Sequence, residues 1–198
     1  MAKLVNWPVF EQTIKKRNIL IFTPLDVRWI FGVSKVAASF LVHRYSKRNL
    51  VVQLKRGLYA LNELTIPDPY LANKLCEPSY VSLEFALAYH HIIPESVYAV
   101  TSVTIKSTRS FMILGKAFIY RHIKPEAFTG YRVEKQRGVS FHIAEPEKAF
   151  VDLMYLKVLR HKALPDRFDK QKLDATKLKK YTRLFNNQAL MKAIQKML

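Results

Sequence analysis

The sequence predicts an α+β protein: an N-terminal winged helix-turn-helix, then a mixed α/β domain with a mostly antiparallel sheet and C-terminal helices. Three observations predict it. Two helical stretches separated only by Gly32-Val33-Ser34 run directly into a hairpin pattern. After Pro94 the texture turns β-branched, as in Val97 to Thr104. From Pro146 onward helical periodicity returns. The 198 residues are 49% hydrophobic, enough for a real core and too much for a disordered tail. The single cysteine, Cys76, excludes a disulfide framework and a Cys-based zinc cluster.

The first helix starts at Asn6, an N-cap residue placed before Trp7-Pro8, and ends on Lys15, Lys16 and Arg17, where cations suit the helix dipole. Ile19 to Phe22 is a short apolar run. Thr23 and Asp26 form a capping-box start for a second helix, which Gly32 stops. Ser34 starts a third helix. Ala37, Leu41 and Tyr45 repeat every four residues along it and are expected to face the core, with Phe40. Lys35, Ser39, His43 and Lys47 repeat the same way on another face, where polar groups suit base edges and phosphates. Asn49 ends this helix. Leu50 to Leu54 and Leu58 to Leu61 read as two strands around a Lys55-Arg56-Gly57 turn, a wing with a basic tip.

The domain boundary falls after residue 62, with an α+β domain over 63–198. A short helix runs from Asp68-Pro69 to Cys76, and Ser82 is placed as the N-cap of a helix from Leu83 to about His91. Strands follow at Val97 to Thr104, Phe111 to Leu114, Lys116 to His122 and Ser140 to Ile143. Pro146 opens a broadly apolar, central helix to about Leu164, which Pro165 ends. Leu173 to Phe185 and Gln188 to Leu198 are amphipathic and basic.

The net charge of +18 points to a polyanionic partner. Its distribution is uneven: +9 over residues 1–62, +1 over 63–150 and +8 over 151–198. A uniformly basic surface would not leave the middle neutral. The candidate DNA-binding residues are Arg28, Ser34, Lys35, Ser39, His43, Lys47, Lys55 and Arg56. Lys177, Lys179, Lys180 and Arg183 form a candidate second nucleic-acid surface, facing phosphate or RNA.

No catalytic constellation is evident. There is no phosphate-cradling glycine loop and no zincin helix. His90 and His91 are adjacent, so a helix cannot turn both to one metal; they read as helix-end residues. Glu145, Glu147 and Lys148 resemble a nuclease cluster in composition, but helix-start charge explains them better. Cys76 reads as semi-buried and inert, and Arg109, Lys116, Arg121 and His122 as ordinary surface. No cofactor and no metal are expected. No apolar run approaches the ~18–20 residues of a membrane span. Met1 to Trp7 has no signal-peptide pattern, so a cytoplasmic protein without a membrane partner is expected.

The order Phe22-Thr23-Pro24, Phe31-Gly32-Val33-Ser34 and Leu54-Lys55-Arg56-Gly57-Leu58-Tyr59-Ala60-Leu61 resembles the winged helix of AbiEi-type antitoxins, from abortive-infection, type IV toxin–antitoxin systems. Asp68-Pro69-Tyr70, the stretch from Ser79 to Leu87 and the stretch from Ala144 to Leu153 resemble that family's C-terminal domain. The likeness spans roughly residues 7 to 195. It implies a regulator that represses its own promoter; because a lone winged helix reads only a short site, two copies on repeated half-sites are expected. It further implies a phage-defence antitoxin that counters a nucleotidyltransferase-type toxin without a stable complex. An RNA-binding module on the C-terminal helices, or a nuclease or modifying enzyme with a winged-helix targeting domain, are the alternatives.

Overall fold

In the computed structural model, which describes residues 5–159 and 167–197, the Asn6 side chain accepts a hydrogen bond from the Val9 amide at 3.1 Å. That cap starts α1 (Trp7–Lys16) with Pro8 in its first turn. The capping box of Thr23 and Asp26 is complete in both directions and starts α2 (Pro24–Phe31). Gly32 ends α2 in the left-handed conformation, φ 63°. Ser34 caps α3 (Lys35–Lys47) through the Ala37 amide at 3.2 Å. A hairpin follows, β1 (Val51–Lys55) and β2 (Leu58–Leu61), turned on Arg56-Gly57. Phe22 exchanges both backbone hydrogen bonds with Tyr59 and so adds a one-residue third strand.

The chain divides into two compact units, Met1–Pro67 and Asp68–Leu198. Leu64 packs on the core of the first unit, which keeps the segment after the hairpin with it. Phe10 centres that core: its ring lies 5.1 Å from Phe31, 5.1 Å from Tyr45 and 5.7 Å from Phe22. Aromatic packing of this kind ties α1 to α2, to α3 and to the Phe22 strand beside the hairpin at once. The Tyr45 hydroxyl donates to the Val5 carbonyl at 2.9 Å and pins the segment entering α1.

The buried stripe of α3 is Ala38, Leu41, Val42 and Tyr45. Two expected core residues are corrected: Ala37 is only half-buried and Phe40 is 68% exposed. The observed spacing i, i+3, i+4, i+7 follows the 3.6-residue turn, whereas a strict every-fourth-residue stripe drifts off the core face.

The second unit is mixed α+β. Its six-stranded sheet has the order β5-β6-β4-β3-β8-β7, with three antiparallel and two parallel pairs. The strands are β3 (Ser79–Val81), β4 (Val100–Thr104), β5 (Arg109–Ile113), β6 (Lys116–His122), β7 (Tyr131–Gln136) and β8 (Val139–Ala144). Helix α4 (Asp68–Leu75) packs on the sheet, and Tyr120 donates from β6 to its Ala72 carbonyl at 2.6 Å. Helices α5 (Leu83–Tyr89) and α6 (Pro146–Leu159) pack on each other and on the sheet, while α7 (Ala175–Arg183) and α8 (Gln188–Met197) pack on α6. Nine consecutive α6 residues, Glu147 to Tyr155, are buried, so α6 is central as its all-round apolar sequence predicts.

Several expectations are corrected here. The strand placed at Val97 begins at Val100. Strands β3 and β7 were not foreseen. Ser82 holds the N-cap position of α5, but its hydroxyl donates to Asp152 at 2.8 Å; the Thr101 hydroxyl takes the Phe85 amide instead. The end of α6 expected at Leu164 and the stop at Pro165 lie outside the described residues.

Candidate nucleic-acid interface

The outward side of α3 is built by default once Ala38, Leu41, Val42 and Tyr45 point inward. Lys35, Val36, Ser39, Phe40, His43, Arg44 and Lys47 are all exposed, and α3 contains no acidic residue. Four of the residues expected to meet DNA thus share one helix surface: Lys35, Ser39, His43 and Lys47. The last turn carries Arg44 and Lys47, where the helix dipole favours cations.

The other expected residues lie around this helix. Arg28 is exposed on α2, its guanidinium 5.3 Å from the Trp29 ring centre. Ser34 is exposed but its oxygen already caps α3, leaving its O–H and one acceptor lone pair for a partner. Arg56 is exposed in the hairpin turn; Lys55 is half-buried as the last residue of β1, not part of the turn. Gly57, at φ 79°, lets the two-residue turn close.

Sequence reasoning missed two members of the α3 surface. Val36 is 65% exposed, like Phe40 a large apolar side chain among cations. Periodicity alone offered no decisive signal for them, because an apolar residue on a helix reads as core by default.

The C-terminal basic helix divides differently from expectation. On α7, Leu178, Tyr181 and Thr182 are buried, leaving Lys179, Lys180 and Arg183 exposed. Lys177 is engaged: its ammonium lies 2.9 Å from Glu145 and 4.0 Å from Glu147. Asp174 caps α7 by accepting from the Thr176 and Lys177 amides, which holds its carboxyl below the ordinary value.

The residues reminiscent of a nuclease do not converge on open space. Glu145 accepts from Lys177 and from the Tyr181 hydroxyl. Burial pushes the Glu145 carboxyl up, but these hydrogen bonds outweigh it and hold the group below its ordinary value. Glu147 is buried, and one oxygen accepts from the Asp174 amide at 3.1 Å. Lys148 points inward and forms a fully buried ion pair with Asp152. Asp152 also accepts from Tyr80 at 3.0 Å and Ser82 at 2.8 Å. The Lys148 ammonium sits 4.9 Å from the Phe185 ring and 5.6 Å from Tyr80. Burial pulls Lys148 below its ordinary value and pushes Asp152 up, each opposed by the other's charge.

Several of the remaining candidates also have local partners. His90, at the end of α5, bonds the Ala144 carbonyl at 2.8 Å, and burial lowers its pKa. Cys76 is buried, with its sulfur 3.9 Å from the Thr104 hydroxyl. Lys116 pairs with Asp68, Arg109 donates to the Ser107 carbonyl at 3.2 Å, and a His122 ring nitrogen lies 3.2 Å from the Lys106 carbonyl. Among the described residues no group of three His, Cys, Asp or Glu could hold a metal ion, and no helix is long and apolar enough to cross a membrane. No protein-family model and no curated protein matches this chain.

Proposed function

We propose that the unit ending at Pro67 is a winged helix-turn-helix that binds double-stranded DNA, and that the protein represses its own operon. The observation that carries this reading is α3: a helix without acids, exposing Lys35, Ser39, His43 and Lys47 and followed by a hairpin with Arg56 at its turn. In this reading Lys35, Ser39 and His43 reach base edges in the major groove. Arg28, Lys47, Lys55 and Arg56 hold phosphates or the neighbouring minor groove. One winged helix reads a short site, so two copies sit on repeated half-sites about one helical turn apart.

The resemblance to AbiEi-type antitoxins extends the proposal. The protein acts without catalysis as the antitoxin of a type IV, phage-defence system, countering a nucleotidyltransferase-type toxin that it need not hold in a stable complex. This part rests on the ordered motifs from Phe22 to Leu153. Co-expression with the product of an adjacent nucleotidyltransferase-like reading frame tests it: rescued growth is expected, and unrelieved toxicity would refute it.

For DNA binding, a duplex from upstream of the protein's own gene is compared with random DNA of equal length. Tighter binding to the first is expected; equal affinity would sink the repressor reading. Exchanging Lys55 and Arg56 for Ala should weaken binding to both and flatten the salt dependence by about one unit per lost contact.

A second reading, RNA binding, is favoured by the exposed trio Lys179, Lys180 and Arg183 on α7. Replacing the three by Ala in the full chain would lower RNA affinity and leave DNA affinity unchanged.

A further inference from the structure

Val36, Ser39, Phe40, His43 and Lys47 form a single exposed stripe along α3, by the spacing i, i+3, i+4, i+7 and i+11. Two of its five members are apolar: Val36, 65% exposed, and Phe40, 68% exposed. Neither packs in the core beneath α3, which is already filled by Ala38, Leu41, Val42 and Tyr45. An apolar protein groove is a poor match for this stripe, because Lys35 beside it and Lys47 within it are exposed cations and α3 carries no acid. The major groove of a duplex is a good match. It is polyanionic at its walls, and it offers one apolar group on its floor, the C5-methyl of thymine.

We infer that α3 reads its operator partly through thymine methyl groups, with Val36 and Phe40 as the specificity-determining contacts. The inference rests on the DNA-binding reading above. Val36 and Phe40 are four residues apart on the helix, so their Cα atoms are separated by about 6 Å along its axis. A base-pair step rises about 3.4 Å. The two side chains therefore meet methyls about two base pairs apart, while Ser39 and His43 take hydrogen-bonding edges beside them. Each half-site carries two A·T pairs at that spacing, with their thymines facing α3.

The test starts from duplexes selected by the full-length protein out of a random-sequence pool. Each thymine of the selected site is then replaced, one at a time, by deoxyuridine, which removes only the methyl group. Two positions about two base pairs apart should each weaken wild-type binding about four-fold, the worth of one buried methyl-sized group. Phe40→Ala should lose the response at one position, and Val36→Ala at the other, each keeping its partner's response. Both side chains are exposed, so the fold should persist; unchanged circular dichroism checks this.

The possible failures separate cleanly. If no sequence is enriched over random DNA, the DNA-reading proposal itself falls. If a site is enriched but deoxyuridine has no effect anywhere, the methyl inference is overturned and the DNA-binding proposal stands. A deoxyuridine response that survives unchanged in both Ala variants overturns the assignment to Val36 and Phe40. So does a Phe40→Ala variant that binds DNA normally but no longer self-associates, which would give the stripe to a second copy of this chain.

Discussion

Between Val5 and Pro67 every buried side chain is apolar or aromatic, whereas the unit from Asp68 onward buries Lys148, Asp152 and Glu147. The two ends of the sequence carry similar excess charge, +9 over residues 1–62 and +8 over 151–198. The two units as a whole place their ionic groups differently. The first unit keeps all of its charge outside, and its α3 surface has no internal acid to neutralise it. The second unit spends ionic groups on its own assembly: Lys148 on Asp152, and Lys177 on Glu145 and Glu147. Net charge alone does not say which cations are available to a partner; ion pairing and burial do.

The sharpest way to break this comparison is Asp152→Ala. It leaves a buried ammonium with no counter-charge, and should cost about 3–5 kcal/mol. Exchanging Lys148 for Met and Asp152 for Leu together should recover only part of that loss, because the charge imbalance is removed while the buried Tyr80 and Ser82 hydroxyls still lack their acceptor. Urea unfolding of both variants checks it. Equal loss in the single and double variants would show that the lost hydrogen bonds and packing, not the unpaired charge, set the cost.

Two glycines give the next contrast. A Cβ on Gly130, which has φ +75°, would lie 2.7 Å from the Tyr181 ring and 3.0 Å from Lys148. Gly130→Ala should therefore cost about 2–4 kcal/mol, from backbone strain and overpacking together. Gly32 has φ +63° and nothing within 4 Å of such a Cβ, so Gly32→Ala pays strain alone, about 1–2 kcal/mol. Thermal unfolding of the two variants ranks them.

A smaller effect belongs to the first unit. Thr23→Ala removes the cap of α2 and should cost about 1 kcal/mol. The loss should appear in urea unfolding.

The smallest effect is the pH response of α7 docking, under about 1 kcal/mol. Glu145 is held below its ordinary value of 4.5, so its contribution is complete above that pH and is lost as acid reaches the lower folded value. Burial first, then the Glu145 charge and hydrogen bond, push the Tyr181 hydroxyl from 10.0 up to about 12. That contribution is complete below pH 10.0 and fades as pH rises through about 12. The urea midpoint of wild type against Glu145→Gln, followed down to pH 3, should converge in acid.

How much was legible depended on how local the signal was. Asn6, Thr23 with Asp26, and Gly32 marked helix ends because capping is settled within four residues. The Lys116–His122 strand was legible from its own composition. Strand β7 was not: it is an edge strand, mostly exposed on both faces, and its apolar-polar alternation stops after Tyr131-Arg132-Val133-Glu134. Strand β3 is three residues long and gains its identity from the neighbours on each side, β4 and β8. Within the candidate interface, Lys35, Ser39, His43 and Lys47 were legible, but Val36 and Phe40 were not, because an apolar residue on a helix reads as core by default.

The sequence by itself determined the order of helices and hairpin in the first unit, the mixed α+β character of the second, and the clustering of charge at the two ends. Each follows from short-range capping, turn chemistry or composition. Tertiary structure decided which side of α3 is buried, which of the basic residues on α7 remain available, and that Ser82 bonds Asp152 instead of capping α5. Those outcomes depend on groups up to 70 residues apart in the chain, as Ser82 and Asp152 are. Local periodicity offers two or three near-equal faces; only the packing of α1, α2 and the Phe22 strand around Phe10 selects one of them.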